Sequence, residues 1–515
     1  MRGRLFAAIA LLLTLALAAM AVLSLSWRVT VDAPIMLYMG LLVEQRHAVP
    51  YRDFFDMNLP GSYWLYGILG RVSGESDLGL RILDLAYLGA LSCTTLVWMR
   101  RIAWQSAWAG ALLFGFAYLD GGPLLSLQRE YFLLLPISAA AVLAGTERWD
   151  VRLRALGVGL LFGLTSTVKP QAGLVGLPVL AVFLGVVDGS LARGHVSARD
   201  WLARAVAPAA LGAALPTLCV LFYLWHAGAL ADFVTVARGY LPLYARLDGY
   251  GEARAGAARA AYLVRGFLFF GGNLAWFVPA ALGVFVALYH SELATAARRQ
   301  VGLLVGLAFA YSVYPLFSGQ FWGYHWLPFV YLLVLASSLC LVQPATTSSF
   351  GRALPPLALL FACVLMLRPP DAIRLQVQGL PPRPPDGGRA DEIAAYLESH
   401  LLPGDTVQPL DWTGGAVHAM LIARAQLATP FLYDFHFYHH VSSPFIQGLR
   451  ARFMAALRTA PPRFVLRLEA RPWPSGPDTT REFPELEEFL AQHYAVSARG
   501  DGYQILERTD AASPS

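Results

Sequence analysis

Residues 11–25 read LLLTLALAAMAVLSL and residues 354–367 read LPPLALLFACVLML, and neither stretch holds a charged side chain. A helix needs about 20 apolar residues to cross the hydrocarbon core of a bilayer, and fewer when it is packed among other helices. Extending that ruler outward from the two runs gives about eleven candidate spans. They lie near residues 4–26, 77–99, 103–119, 131–146, 154–168, 171–187, 203–227, 262–289, 301–317, 326–343 and 353–367. The expected fold is a polytopic α-helical membrane protein that ends in a small α/β domain.

Composition points the same way. The chain has 515 residues, 57% hydrophobic and only 14% charged, with a mean hydropathy of +0.51. Soluble domains carry roughly a quarter charged residues, so an ordinary soluble protein of this length is excluded. The net charge of +5 does not form a patch. Its arginines sit in short clusters between apolar runs, which argues against a nucleic-acid partner and for membrane lipids. Cys93, Cys219, Cys340 and Cys363 all lie inside apolar runs, so no disulfide framework is expected. The first apolar run exceeds the roughly 7–15 residues of a signal-peptide core, and it reads as an uncleaved first helix.

Arginine placement orients the spans. With the N-terminus in the cytoplasm, the inner loops hold Arg100 and Arg101, Arg148 and Arg152, Arg193 and Arg199, Arg298 and Arg299, and Arg352. The outer loop 228–261 dissents, with Arg238, Arg246, Arg254 and Arg259. Residues 27–76, 120–130, 168–171, 228–261, 318–325 and the tail from 368 then lie outside. Three regions are expected: a membrane domain over 1–367, a linker over 368–388, and an extracytoplasmic α/β domain over 389–515. The linker carries Pro369, Pro370, Pro381, Pro382, Pro384 and Pro385, a semi-rigid composition. In the tail, periodicity predicts helices over 391–400, 414–424 and 485–493. It predicts strands over 406–410 and 464–468 and a hairpin of 494–499 with 503–508.

The loop after the first span places Asp32 near a helix end, then Arg52, Asp53 and Asp56 about twenty residues on. A carboxylate at a membrane boundary marks either the water interface or a site, because burying it costs about 2.5–3.5 kcal/mol at a helix centre. Asp32, followed by Pro50-Tyr51-Arg52-Asp53 and Asn58-Leu59-Pro60-Gly61, resembles the first external loop of GT-C glycosyltransferases. The likeness is to the bacterial branch related to protein O-mannosyltransferases and lipid A aminoarabinose transferases. Gln128-Arg129-Glu130, Val168-Lys169-Pro170-Gln171 and the stretch from Gly319 to Pro328 agree with it in order, as does Leu402-Pro403-Gly404-Asp405 in the tail. One departure is plain: many relatives carry Asp-Glu where this chain has Asp32-Ala33, so no role resting on the second acid transfers.

The resemblance implies a bacterial inner-membrane enzyme. It would move a hexosyl or pentosyl unit from a polyprenyl-phosphate carrier to a glycan, lipid or protein acceptor, with inversion, at the outer face. Such a transfer needs a base for the incoming hydroxyl and cations for the departing phosphate. Asp32 is the expected base, with Asp53 and Asp56 as further catalytic candidates. Lys169 is the only lysine in the chain. It and Arg129, beside Glu130, are the expected phosphate-binding cations, with Arg52 and Arg81 behind them. Lys169 equally fits a snorkelling residue, and Arg129 with Glu130 an interface ion pair. Tyr324 and His325 are candidates for substrate contact. His436 and His440 would share a face only on a helix, and the alternating aromatics around them suggest an extended form, so no metal site is assigned. The sequence assigns no cofactor outright and leaves room for a divalent cation. A transporter or a lipid-linked oligosaccharide flippase or ligase is the alternative. No internal repeat favours the transporter, and the candidate ionisable residues gather at the outer face.

Overall fold

The computed structural model describes residues 2–192, 195–345, 348–469 and 471–509. Arg193, one of the orienting arginines, lies outside them. The chain divides into two compact units. One holds residues 1–27, 78–220 and 264–382, and the other residues 28–77, 221–263 and 383–515.

Apart from a short antiparallel pairing of Leu191–Ala192 with His195–Val196, the regular structure of the first unit is helical, as a chain must be where no water can satisfy its backbone. Among the described residues, eight helices of the chain are long and apolar enough to cross a membrane. A ninth span results if Gly256–Gly272 and Leu274–Tyr289, bent by 63°, count as one. This is a multi-pass membrane protein. The remaining two expected spans are also helices, but short ones: Trp104–Asp120, and a segment broken at Leu133 into Arg129–Phe132 and Leu134–Ala144. Apolar side chains stand open on the long helices, Leu12 at 67% and Phe309 at 75% exposure. Lipid, not water, suits such a surface.

Lipid offers no hydrophobic drive for helices to associate, so close backbone approach must supply it. Helix Val151–Val168 packs on helix Ala207–His226 through Gly159 and Gly163. A Cβ on either would come within 2.1 and 2.6 Å of the Ala209 and Ala213 carbonyl oxygens. Gly212 answers from the other side, 2.2 Å from the Leu156 carbonyl oxygen by the same measure. Two arginines also tie one helix end to its neighbours. Arg101 donates to the Val142 carbonyl at 2.8 Å and Arg154 to that of Ala144 at 2.8 Å, capping the end of Leu134–Ala144.

The second unit overturns two loop expectations. Residues 27–76 contain helices Asp32–Arg46 and Pro60–Ser73, which cross where a Cβ on Gly40 would lie 2.4 Å from the Gly67 nitrogen. Residues 228–261 contain helix Leu230–Gly239. Both segments carry too many polar residues to read as spans, and amphipathic helices on a folded unit look like loops to a hydropathy ruler. The proline-rich stretch likewise contains a helix, Asp371–Val377, which starts directly after Pro370.

The tail folds as predicted around a five-stranded sheet. Its strands are β1 (Thr406–Leu410), β2 (Gln426–Leu427), β3 (Phe464–Leu468), β4 (Tyr494–Gly500) and β5 (Tyr503–Arg508), in the order β2-β1-β3-β5-β4. β1 runs parallel to β2 and β3, whereas β5 is antiparallel to β3 and β4. Parallel neighbours need crossovers, supplied by helices Ala416–Ile422 and Pro444–Thr459. The second crossover helix escaped the sequence reading, because its apolar positions are diluted by Arg450, Arg452 and Arg458.

Candidate functional site

In the first unit, Pro170 decides where Lys169 points. A residue before proline is pushed out of the helical region, and Lys169 sits at φ −145°, ψ 89°, between helices Val151–Val168 and Pro170–Leu174. Its side chain leaves the helix and reaches Glu130, with Nζ 2.8 Å from Oε1. Glu130 belongs to the short helix Arg129–Phe132, entered through Leu127 at φ 57°, and is fully buried. The same oxygen accepts a 2.8 Å hydrogen bond from the Tyr314 hydroxyl, and His325 Nε2 lies 3.5 Å away. His325 occupies the turn Gly323–Trp326 that opens helix Leu327–Ser338, and its Nδ1 is 2.8 Å from Ser318 Oγ. Tyr324 stands edge-on to its ring at 4.9 Å between centroids.

Lys169, Glu130 and His325 were named separately from the sequence, and the fold brings them into one buried cluster. Arg129 lies close enough to act electrostatically on both Glu130 and His325. Two cations, Lys169 and Arg129, therefore act on this one buried carboxylate. Glu130 Oε2 finds no hydrogen-bond partner among the described residues. Tyr314 was missed. Its hydroxyl inside an apolar run signals that a partner exists, but not which one.

Arg81 does not join this group. It is buried in an ion pair with Asp84, donates to Ser24 Oγ at 2.7 Å and covers the Trp27 ring at 4.4 Å. Asp84 also accepts from Tyr118 at 2.5 Å and Ser126 at 2.7 Å. Arg81, expected to stand behind the phosphate-binding cations, directs its donors to Asp84 and Ser24.

In the second unit, Asp32 opens helix Asp32–Arg46 and is half-buried. Val31 before it is held at φ 56°, ψ −115°. A β-branched residue there is strained, and such strain gathers at functional sites. Asp53 and Asp56 behave differently. The Asp53 carboxylate is gripped by Arg52 at 2.7 and 2.9 Å and accepts from the Val49 amide at 2.7 Å. Arg52 holds this carboxyl below the usual carboxylate range. Asp56 is fully buried and accepts from Tyr63 at 2.6 Å, Tyr433 at 2.6 Å and both nitrogens of Asn58 at 2.8 and 3.0 Å. Asp53 and Asp56, expected as further catalytic carboxylates, are thus both held by hydrogen bonds within the second unit. Arg52 is likewise engaged by Asp53.

The tail histidines are not extended, and only His436 sits in a helical turn, a single 3-10 one. His436 lies in the turn Phe435–Phe437, and its Nδ1 meets the Tyr240 hydroxyl at 2.6 Å. That hydroxyl is 3.2 Å from His439 Nε2, whose Nδ1 is 3.0 Å from His440 Nδ1. Burial pushes His439 down to about 3 and His436 well below its ordinary value, so both rings are neutral. Among the described residues, no three His, Cys, Asp or Glu side chains are arranged to hold a metal ion.

No family model and no curated protein sequence matches this chain. Solved structures do. The apo crystal structure of ArnT from Cupriavidus metallidurans aligns with a TM-score of 0.60 at 15% identity, covering 99% of both chains. The structure of the same protein bound to undecaprenyl phosphate aligns at 0.58, again at 15% identity over 99% of each chain. At that identity the likeness speaks for the fold alone: the chain has the fold of this ArnT, a multi-pass helical architecture with a small C-terminal sheet domain, as expected from the sequence.

Proposed function

We propose that this chain is an integral-membrane inverting glycosyltransferase that takes its sugar from a polyprenyl-phosphate carrier. The observation that carries the reading is the buried Lys169–Glu130–Tyr314–His325 cluster at a proline-broken membrane helix, with Arg129 beside it. Its paired cations, Lys169 and Arg129, suit the phosphate of a lipid carrier, and ArnT, whose fold this chain shares, is seen bound to undecaprenyl phosphate. Asp32 takes the proton of the acceptor hydroxyl as that oxygen attacks the anomeric carbon. The bond from that carbon to the phosphate oxygen breaks, and the carrier phosphate departs with the electron pair. Lys169 and Arg129 stabilise the charge that grows on it. Glu130 and Tyr314 aim the lysine, and His325 and Tyr324 contact the substrate.

The transferred unit is a hexose or pentose, and the acceptor a glycan, lipid or protein. The N-terminus is cytoplasmic and the tail domain outside, in a bacterial inner membrane. Supplying purified protein with polyprenyl-phosphate sugars and nucleotide sugars in turn tests the donor. Transfer from the lipid carrier alone is expected, and transfer from a nucleotide sugar without any carrier overturns the reading. Reporter fusions after Arg152 and Arg389 should report cytoplasm and exterior respectively; the reverse overturns the orientation.

A further inference from the structure

Helix Thr295–Ser318 ends on a hydroxyl. Gly319 closes it at φ 70°, and the Pro315 carbonyl accepts twice there, from the Gly319 amide at 2.9 Å and from the Ser318 hydroxyl at 3.1 Å. Serine back-bonds of this kind satisfy the orphaned carbonyls of a helix end. A hydroxyl has one proton to give. With that proton on Pro315, Ser318 Oγ meets His325 Nδ1 at 2.8 Å as an acceptor, so Nδ1 carries the hydrogen. A neutral imidazole with a hydrogen on Nδ1 has none on Nε2. The geometry at Nε2 agrees. It stands 3.5 Å from Glu130 Oε1, beyond the about 2.7–2.9 Å of a charge-assisted N–H···O bond, and makes no hydrogen bond among the described residues. An N–H so near a buried carboxylate would close on it.

We infer that Ser318 is a positioning residue that acts through His325: by holding the ring in the Nδ1–H tautomer it keeps the histidine from bonding to Glu130 and leaves that carboxylate oxygen to Lys169 and Tyr314. In the other tautomer, Nε2–H donates to Glu130 Oε1 and competes with the lysine for it, and the ammonium loses its fixed place. The inference rests on the reading of Lys169 as a cation that stabilises the departing phosphate. A cation already in place needs no reorganisation as the leaving charge grows, so its aim bears on kcat more than on KM.

Nitrogen NMR on full-length protein in lipid nanodiscs, with ring-labelled histidine, tests this. The His325 signals are identified by their loss in His325→Gln. The unmodified protein should carry its hydrogen on Nδ1. Ser318→Ala should move it to Nε2 and lower kcat for transfer from a polyprenyl-phosphate sugar by about tenfold, with KM for that donor changed by less than about twofold. Ser318→Thr keeps the hydroxyl and should restore both the tautomer and kcat. A hydrogen on Nε2, or on both nitrogens, in the unmodified protein overturns the inference whatever the variants do. So does Ser318→Ala with a lower melting temperature but an unchanged tautomer and unchanged kcat per folded molecule, which is the pattern of a purely structural tie. The transfer assay separates the two readings. A protein that transfers no sugar from the lipid carrier, with a tautomer that still follows Ser318, removes the enzyme reading. Transfer from the carrier that is indifferent to Ser318→Ala removes this inference alone.

Discussion

Lys169 Nζ and Glu130 Oε1 stand 2.8 Å apart, and the carboxylate that the lysine meets is completely buried. An ion pair removed from water adds little net stability, yet losing one partner leaves a charge without compensation. Retaining such a pair, with a tyrosine and a histidine on the same oxygen, makes sense where a transient anion must be held.

Lys169→Ala should therefore do two things at once. It strands Glu130 and destabilises the protein by about 3–5 kcal/mol, and it abolishes transfer. The double variant Lys169→Met with Glu130→Gln removes both charges and should recover most of the thermal stability but not kcat. Lys169→Arg should restore part of the rate, because it keeps the charge and changes the reach. A double variant with unaltered kcat and KM would reduce the cluster to a structural tie.

Asp32 and Asp56 should separate cleanly. Asp32→Asn keeps the shape and loses the base, so turnover falls by about 10²–10⁴-fold with the melting temperature unchanged. Asp56→Asn weakens the charge-assisted hydrogen bonds from Tyr63 and Tyr433, each worth about 1.5–3 kcal/mol, and should lower stability before activity per folded molecule. Turnover measured beside thermal unfolding distinguishes them, and a reversed pattern would exchange their roles.

Helix packing offers a third check. Gly159→Leu forces apart the backbones of Val151–Val168 and Ala207–His226 and should cost about 1–3 kcal/mol or prevent assembly. Gly302, in helix Thr295–Ser318, has nothing within 4 Å of where its Cβ would stand. Gly302→Ala should be neutral or stabilising by up to about 1 kcal/mol. Equal melting temperatures for the two variants would contradict the packing.

Acid should loosen the second unit. Burial lowers His436, His439 and His418, the last two to about 3 and about 4, whereas an unfolded histidine titrates near 6.5. Below that value the unfolded chain binds protons that the folded one refuses. Stability is then complete above about pH 6.5 and declines as pH falls towards 4, by up to about 1.4 kcal/mol per histidine per pH unit. Asp411, raised by burial to about 6, works in the opposite sense, gaining between about pH 6 and 4. Three histidines outweigh one carboxyl. His439→Gln should flatten the slope in denaturant unfolding from pH 7 to 4.5, and an unchanged slope would count against the buried neutral ring.

Local pattern was enough to write much of this protein from its sequence. Apolar runs found the membrane helices, and strands 406–410 and 464–468 stand where alternation and flanking prolines put them. Pro170 alone implied that Lys169 sits at a helix break. These features depend on neighbours in the chain, which the sequence displays. The partners of Lys169 and Asp56 depend on folding. Glu130, Lys169, Tyr314 and His325 come from four separate segments, and Tyr433 reaches Asp56 from the far end of the chain. That meeting gave Asp56 and Arg81 buried partners and joined Glu130 to Lys169, because a buried charge is defined by what compensates it. Whether a carboxylate is spare for chemistry is decided by its hydrogen bonds, and only the tertiary structure assigns those.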